Sequence, residues 1–113
     1  MYDILFMVII MKLIIDNYEI NLIVANNFFQ KLCGLTFKKK IDYALMLRCN
    51  GVHTFFMKAN IDIVVCDKSN NILAIHRNVK KNKIILPKKH AYYTYELPAN
   101  TIKKTPKKIE LKL

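Results

Sequence analysis

Residues 61–67 read IDIVVCD, and from Ile63 to Cys66 every side chain is apolar, with no alternation of polar and apolar positions. Three of those four are β-branched, and Ile61 makes a fourth, so the run is built for a strand rather than a helix. A strand with no polar face is buried on both sides, inside a sheet that is covered above and below. That requirement makes the domain mainly β. The chain has 113 residues, one domain by length, and its 53% apolar content is enough to fill a single core. Asp62 interrupts the run, and a carboxylate at the start of a buried strand is costly unless it is partnered. Arg48 or Lys58 could pair with it, or it could orient His53 in a polar pocket.

The remaining elements follow from punctuation. KLIID (12–16) and EINLIVA (19–25) flank Asn17-Tyr18 and read as a hairpin. Asn26 or Asn27 can cap a helix over FFQKLCGL, with Phe28, Phe29 and Leu32 as its apolar stripe and Gly34 past its end. YALMLRC (43–49) and VHTFFM (52–57) are strand-like around Asn50-Gly51, the dipeptide most typical of a two-residue hairpin. DKSNN turns into ILAIHRNV (72–79), KKNK and LPKKH are exposed loops, and AYYTYEL (91–97) is a strand stopped by Pro98. KKIELKL (107–113) alternates and carries the lysines of a protected edge strand. The expected fold is mainly β (α+β), a small curled sheet or open β-barrel-like domain with one early α-helix.

The first eleven residues read as an extension dispensable to a domain over 12–113. ILFMVIIM has Asp3 ahead of it and DNYE behind, and it is broken by Lys12, so it suits neither a secretory signal nor a spanning helix of about 20 residues. The formal charge of +11 ordinarily points to nucleic acid or anionic lipid. Here Lys, Ile, Asn and Tyr, all drawn from A/T-rich codons, make up 50 residues, while Arg, the usual choice for bidentate phosphate or base recognition, occurs twice. A solvated lysine surface explains the charge, so neither nucleic acid nor membrane is the expected partner, with a membrane anchor over the apolar amino-terminal run as the alternative reading. Three Cys and three His have no metal-ligand or disulfide spacing, so no metal site and no cofactor is expected, and the cysteine usage fits a cytoplasmic protein.

A literal two-residue turn at Asn50-Gly51 sets Arg48 opposite His53 and Cys49 opposite Val52. Alternation then puts Arg48 and His53 on one face and turns Cys49 to the other, which disfavours a Cys–His nucleophile dyad. Thr54 and Asp62 follow closely in sequence, so RCNGVHTFFM is read first as a hairpin and second as the best place to look for a site.

Three blocks carry a resemblance: FFQKLCGL, LMLRCNGVHTFFMKANIDIVVCD and AYYTYELPANTI, in that order. Together they resemble the family known as domain of unknown function 192, or uncharacterised protein family 0127. The matching elements fall on Gly34 and Leu35, on Arg48 and Cys49, on Val52, His53, Thr54, Phe55 and Met57, on Ile61, Asp62 and Val64, and on Glu96, Leu97, Pro98 and Ala99. The resemblance implies a small β-rich fold with one helix and brings no activity. Asn100 stands where the closing block usually has Gly, a substitution that a positive-φ turn tolerates.

The leading expectation is a non-enzymatic binding or accessory domain with a polar pocket lined by Arg48, His53, Thr54, Asp62 and Glu96, suited to a small anionic or hydroxylated ligand. The second is a hydrolase-like or transferase-like enzyme with His53 as general base oriented by Asp62. The third is nucleic-acid binding through Lys38–Lys40, Lys80, Lys81, Lys88 and Lys89.

Overall fold

The computed structural model describes residues 10–15, 18–25, 40–55, 57–106 and 108–112. Nine strands run through them: β1 (Ile10–Ile15), β2 (Tyr18–Val24), β3 (Ala44–Leu47), β4 (Val52–His53), β5 (Ile61–Cys66), β6 (Ile72–Val79), β7 (Ile84–Ile85), β8 (Tyr93–Pro98) and β9 (Glu110–Lys112). Seven form one sheet in the order β6-β5-β8-β3-β2-β1-β9, and β4 pairs with β7 in a separate two-stranded ribbon. The helix expected over FFQKLCGL lies outside the described residues, among which there is none. Ile10 and Met11, which the sequence sets apart from the domain, pair in β1 with Ile23 and Leu22.

β5 is buried along its whole length, as its composition requires. Its even and odd residues feed two cores. Val64 and Cys66 join Leu13, Leu22, Ala44, Tyr95 and Leu97 on the inner, concave face. Ile61, Ile63 and Val65 join Leu45, Leu47 and Met57 on the outer face, where Val52 and Ile85 of the ribbon also pack. The ribbon thus helps to cover the second face of this mixed sheet.

The sheet curls until its edges approach. Asn71, at the head of β6, bridges Lys108, and the Ile109 N–H donates to the Asn70 carbonyl at 3.2 Å. The Tyr95 hydroxyl, fully buried, donates to the Asn70 side-chain oxygen at 2.6 Å and ties the sheet centre to that seam. Curling removes part of the exposed edge that an open sheet would offer to other chains.

Turns in a chain with two glycines need another residue for left-handed backbone, and Asn supplies it. Asn70, Asn78, Asn82 and Asn100 all have φ between 52° and 66°. The DKSNN turn forms as expected: Asp67 Oδ1 accepts from the N–H groups of Ser69 and Asn71, both at 2.9 Å. Those bonds, the Asn71 N–H foremost, hold the Asp67 carboxyl below the usual carboxylate range.

The Asn50-Gly51 hairpin does not form. Both edges of β3 are occupied, by β2 in parallel and by β8 antiparallel, and Val52 and His53 pair with Ile85 and Ile84 instead. The dipeptide makes a corner that carries the chain from the sheet to the ribbon. Gly51 keeps the positive φ expected of it, at 94°, and a Cβ there would lie 3.2 Å from the Pro87 ring. Asn50 accepts from the Lys88 N–H and donates to the Lys88 carbonyl, both at 2.8 Å, fastening the corner to the chain beyond β7.

Candidate functional site

Asp62 is fully buried, and among the described residues no lysine or arginine is hydrogen-bonded to it. Its partners are backbone amides from two distant segments. Oδ1 accepts from Asn78 at 2.8 Å and Asn100 at 3.3 Å, and Oδ2 accepts from Ile102 at 2.9 Å. The cause lies in β6. Ile61 pairs with Val79 and Ile63 with His76, so Arg77 and Asn78 together oppose Asp62 in a β-bulge. Asn78 takes φ 52°, and its N–H meets the carboxylate instead of a strand partner.

The same bulge aims Arg77 at the other side of the 100–105 loop. Its Nε–H donates to the Ile102 carbonyl at 3.0 Å, and Nη2 donates to the Lys104 carbonyl at 2.6 Å. The Ile102 residue is thus gripped through its N–H by Asp62 and through its C=O by Arg77. A carboxylate that accepts and a guanidinium that only donates satisfy backbone groups which have no ladder partner.

The clamped loop walls a cleft of about 450 Å³. Ile15, Pro98, Ala99 and Pro106 supply apolar surface, Tyr18 stands at the side with 41% of its surface exposed, and Lys103 and Lys104 add two cations. The Thr101 hydroxyl is engaged with the Pro98 carbonyl at 2.6 Å, while the lysines, Tyr18 and the exposed Asn100 amide are polar side chains open to a visitor.

The five residues expected to share a pocket are dispersed. Asp62 pairs with Leu97 and Glu96 with Ile63, so alternation sends Asp62 to the inner face and Glu96 to the outer. Thr54 is buried beneath the ribbon, where its hydroxyl donates to the Lys80 carbonyl at 2.7 Å and accepts from the Lys83 N–H at 2.9 Å. His53 is exposed, stacked on Phe55 with ring centroids 4.7 Å apart. Its Nδ1 accepts from the Phe55 N–H at 3.2 Å, which leaves the proton of the neutral ring on Nε2. Arg48 is exposed and lies over the Tyr92 ring, 4.9 Å from its centre, with the Lys68 ammonium 5.6 Å from the same ring. The Arg48–His53 cross-strand pair is absent because the ladder that would align them is absent.

A His53–Asp62 acid–base pair is not assembled either. Nδ1 of His53 and both oxygens of Asp62 are engaged with backbone amides, and no hydrogen bond joins the two side chains. Cys66 offers no nucleophile. Burial first, and the Asp67 charge second, push its thiol up to about 12, so it stays protonated at neutral pH.

Sequence reasoning missed Arg77, Lys103, Lys104 and Tyr18. The scarcity of arginine was a usable signal for Arg77, since a planar fork binds paired carbonyls as readily as phosphate. The other three gain meaning only once the sheet curls and brings the 98–106 segment beside the start of β2.

Comparison with known proteins agrees with this architecture. The UPF0127 protein of Thermococcus kodakarensis is 31% identical over 86 residues, 70% of this chain and 54% of that protein. That of Pyrococcus horikoshii is 33% identical over 82 residues, 66% of this chain and 70% of that protein. The chain thus spans about half the length of the first of these relatives. A crystal structure of a protein of unknown function from Novosphingobium aromaticivorans superposes with a TM-score of 0.75 over 91% of this chain and 84% of the other, at 10% identity, a likeness of fold alone. Residues 11–111 match the model of DUF192, described as Uncharacterized ACR, and the chain belongs to that family.

Proposed function

We propose that this chain is a non-enzymatic binding module, and that its ligand is a small anion with a flat or hydroxylated body held in the cleft beside the 98–106 segment. The observation that carries this reading is the cleft's composition. An exposed aromatic, an apolar wall and two lysines surround about 450 Å³, a volume suited to a small molecule. The wall is also rigid for a loop, because Asp62 and Arg77 grip Ile102 from both sides. A wall already ordered loses little entropy when a ligand docks. The ligand class is the one expected from sequence, while the binding groups are Tyr18, Lys103 and Lys104, with Asp62 as their support.

The test is a thermal-shift screen with inorganic phosphate, phenyl phosphate, nucleoside monophosphates and sugar phosphates. A ligand present at a hundred times its dissociation constant stabilises by ~2.7 kcal/mol, a rise of roughly 10 °C for a domain of this size. The reading expects such a hit to vanish in Lys103→Ala/Lys104→Ala and to weaken in Tyr18→Ala. A screen without hits, or a hit indifferent to all three substitutions, overturns it.

A further inference from the structure

The chain has eight acidic residues, yet none lies between Asp67 and Glu96. Inside that acid-free stretch runs KKNKIILPKK, Lys80 to Lys89, with five lysines around Ile84, Ile85, Leu86 and Pro87. A preference for A/T-rich codons raises lysine across a whole chain; it does not gather exposed aliphatic side chains among the lysines. Ile84 and Leu86 are the most exposed large apolar residues described, at 62% and 74%. Ile85 turns inward onto the outer core, so alternation sets Ile84 and Leu86 outward together. His53 pairs with Ile84 across the ribbon, and Phe55, 36% exposed, stacks on His53.

This surface is held open by its supports. Thr54 binds the chain at Lys80 and Lys83, ahead of Ile84, and Asn50 binds it at Lys88, beyond Leu86. Pinned on both sides, the aliphatic side chains stay outward instead of folding back onto the domain. We infer that the β7 segment is a contact surface for an anionic lipid bilayer, with Ile84 and Leu86 entering the headgroup region and Lys80, Lys81, Lys83, Lys88 and Lys89 meeting the lipid charge.

Three alternatives fit less well. A second copy would bring like-charged segments together. Nucleic acid is held through stacking faces and arginine forks, and Ile84 and Leu86 provide neither. An acidic protein could answer the lysines, but the mixture of protruding aliphatics and lysines on one face is what interfacial membrane segments use. The sequence alone argues against a membrane partner by ascribing the lysines to codon usage, which leaves the exposed aliphatics among them unexplained, and among the described residues no helix is long and apolar enough to cross. Contact with the surface needs no span.

The test is co-sedimentation of the whole chain with vesicles of phosphatidylcholine alone and of phosphatidylcholine with phosphatidylserine, at low and high salt. Binding is expected only with phosphatidylserine and should weaken about tenfold or more at high salt. Ile84→Ser/Leu86→Ser and Lys81→Gln/Lys83→Gln should each reduce it about tenfold at an unchanged melting temperature. Lys108→Gln/Lys112→Gln, on the far edge of the sheet, should leave it intact. Equal losses from both lysine pairs would mean generic adhesion of a basic protein and overturn the inference. Wild-type binding by the Ile84/Leu86 variant, no binding to either vesicle, or stronger binding to an acidic polypeptide or a DNA duplex would also overturn it. The small-anion screen is read separately, since Tyr18, Lys103 and Lys104 are untouched by these variants.

Discussion

Two neighbouring regions of this molecule use polar residues in opposite relation to water. Around Asp62 a charge is buried and backbone amides converge on it. Along the β4–β7 ribbon the apolar Ile84 and Leu86 face solvent, and the polar Thr54 is buried beneath them. Yet Asp62 and Thr54 solve the same problem. Each satisfies backbone groups of a segment that has no strand partner, the 100–102 loop in one case and the 80–83 loop in the other. The residues that look most like chemistry in the sequence are thus framework, and the surfaces they support offer lysine, tyrosine and aliphatic contacts.

Breaking the two supports should rank them. Asp62→Ala leaves three amide donors without their acceptor and should cost about 3 kcal/mol in urea unfolding, the largest effect expected. Thr54→Val keeps the shape but strips two hydrogen bonds, for about 2 kcal/mol, with amide exchange accelerated at Lys83 and not at Ile102. Gly51→Ala tests the corner between the regions. A side chain at φ 94° that also meets Pro87 at 3.2 Å should lower stability by about 1–2 kcal/mol.

The smallest effect at neutral pH sharpens the picture of the inner core. The Cys66 thiol is raised from 9.0 to about 12 when folded, so the native state holds its proton more tightly than the unfolded chain. Its contribution is complete below pH 9 and is lost as pH climbs toward 12. Melting temperatures of wild type should therefore fall more steeply above pH 9 than those of Cys66→Ala.

What the sequence made legible was local. The unbroken β5 run and the Asp67 turn each follow from residues within a few positions of one another, and the positive φ of Asn100 from the family block in which it replaces Gly. The Asn-Gly hairpin failed because a local turn preference met stronger distant pairing: Leu45 lies beside Glu96, and residues 52–53 reach 84–85. With that ladder gone, the pocket built on it scattered. The cost of burying Asp62 was read correctly from its neighbours, but its partners were not. The expectation looked for a side chain of opposite charge, and the solution came from main-chain amides that a bulge and a loop deliver from positions 78, 100 and 102.

The direct test of Asp62 as a framework carboxylate is amide hydrogen exchange in Asp62→Ala, which removes both acceptor oxygens. The account predicts faster exchange at Asn78, Asn100 and Ile102, with His53 and Ile84 of the ribbon unchanged. Native protection at those three amides in the variant would contradict it, and Asp62 would then have to be read as a group held for chemistry.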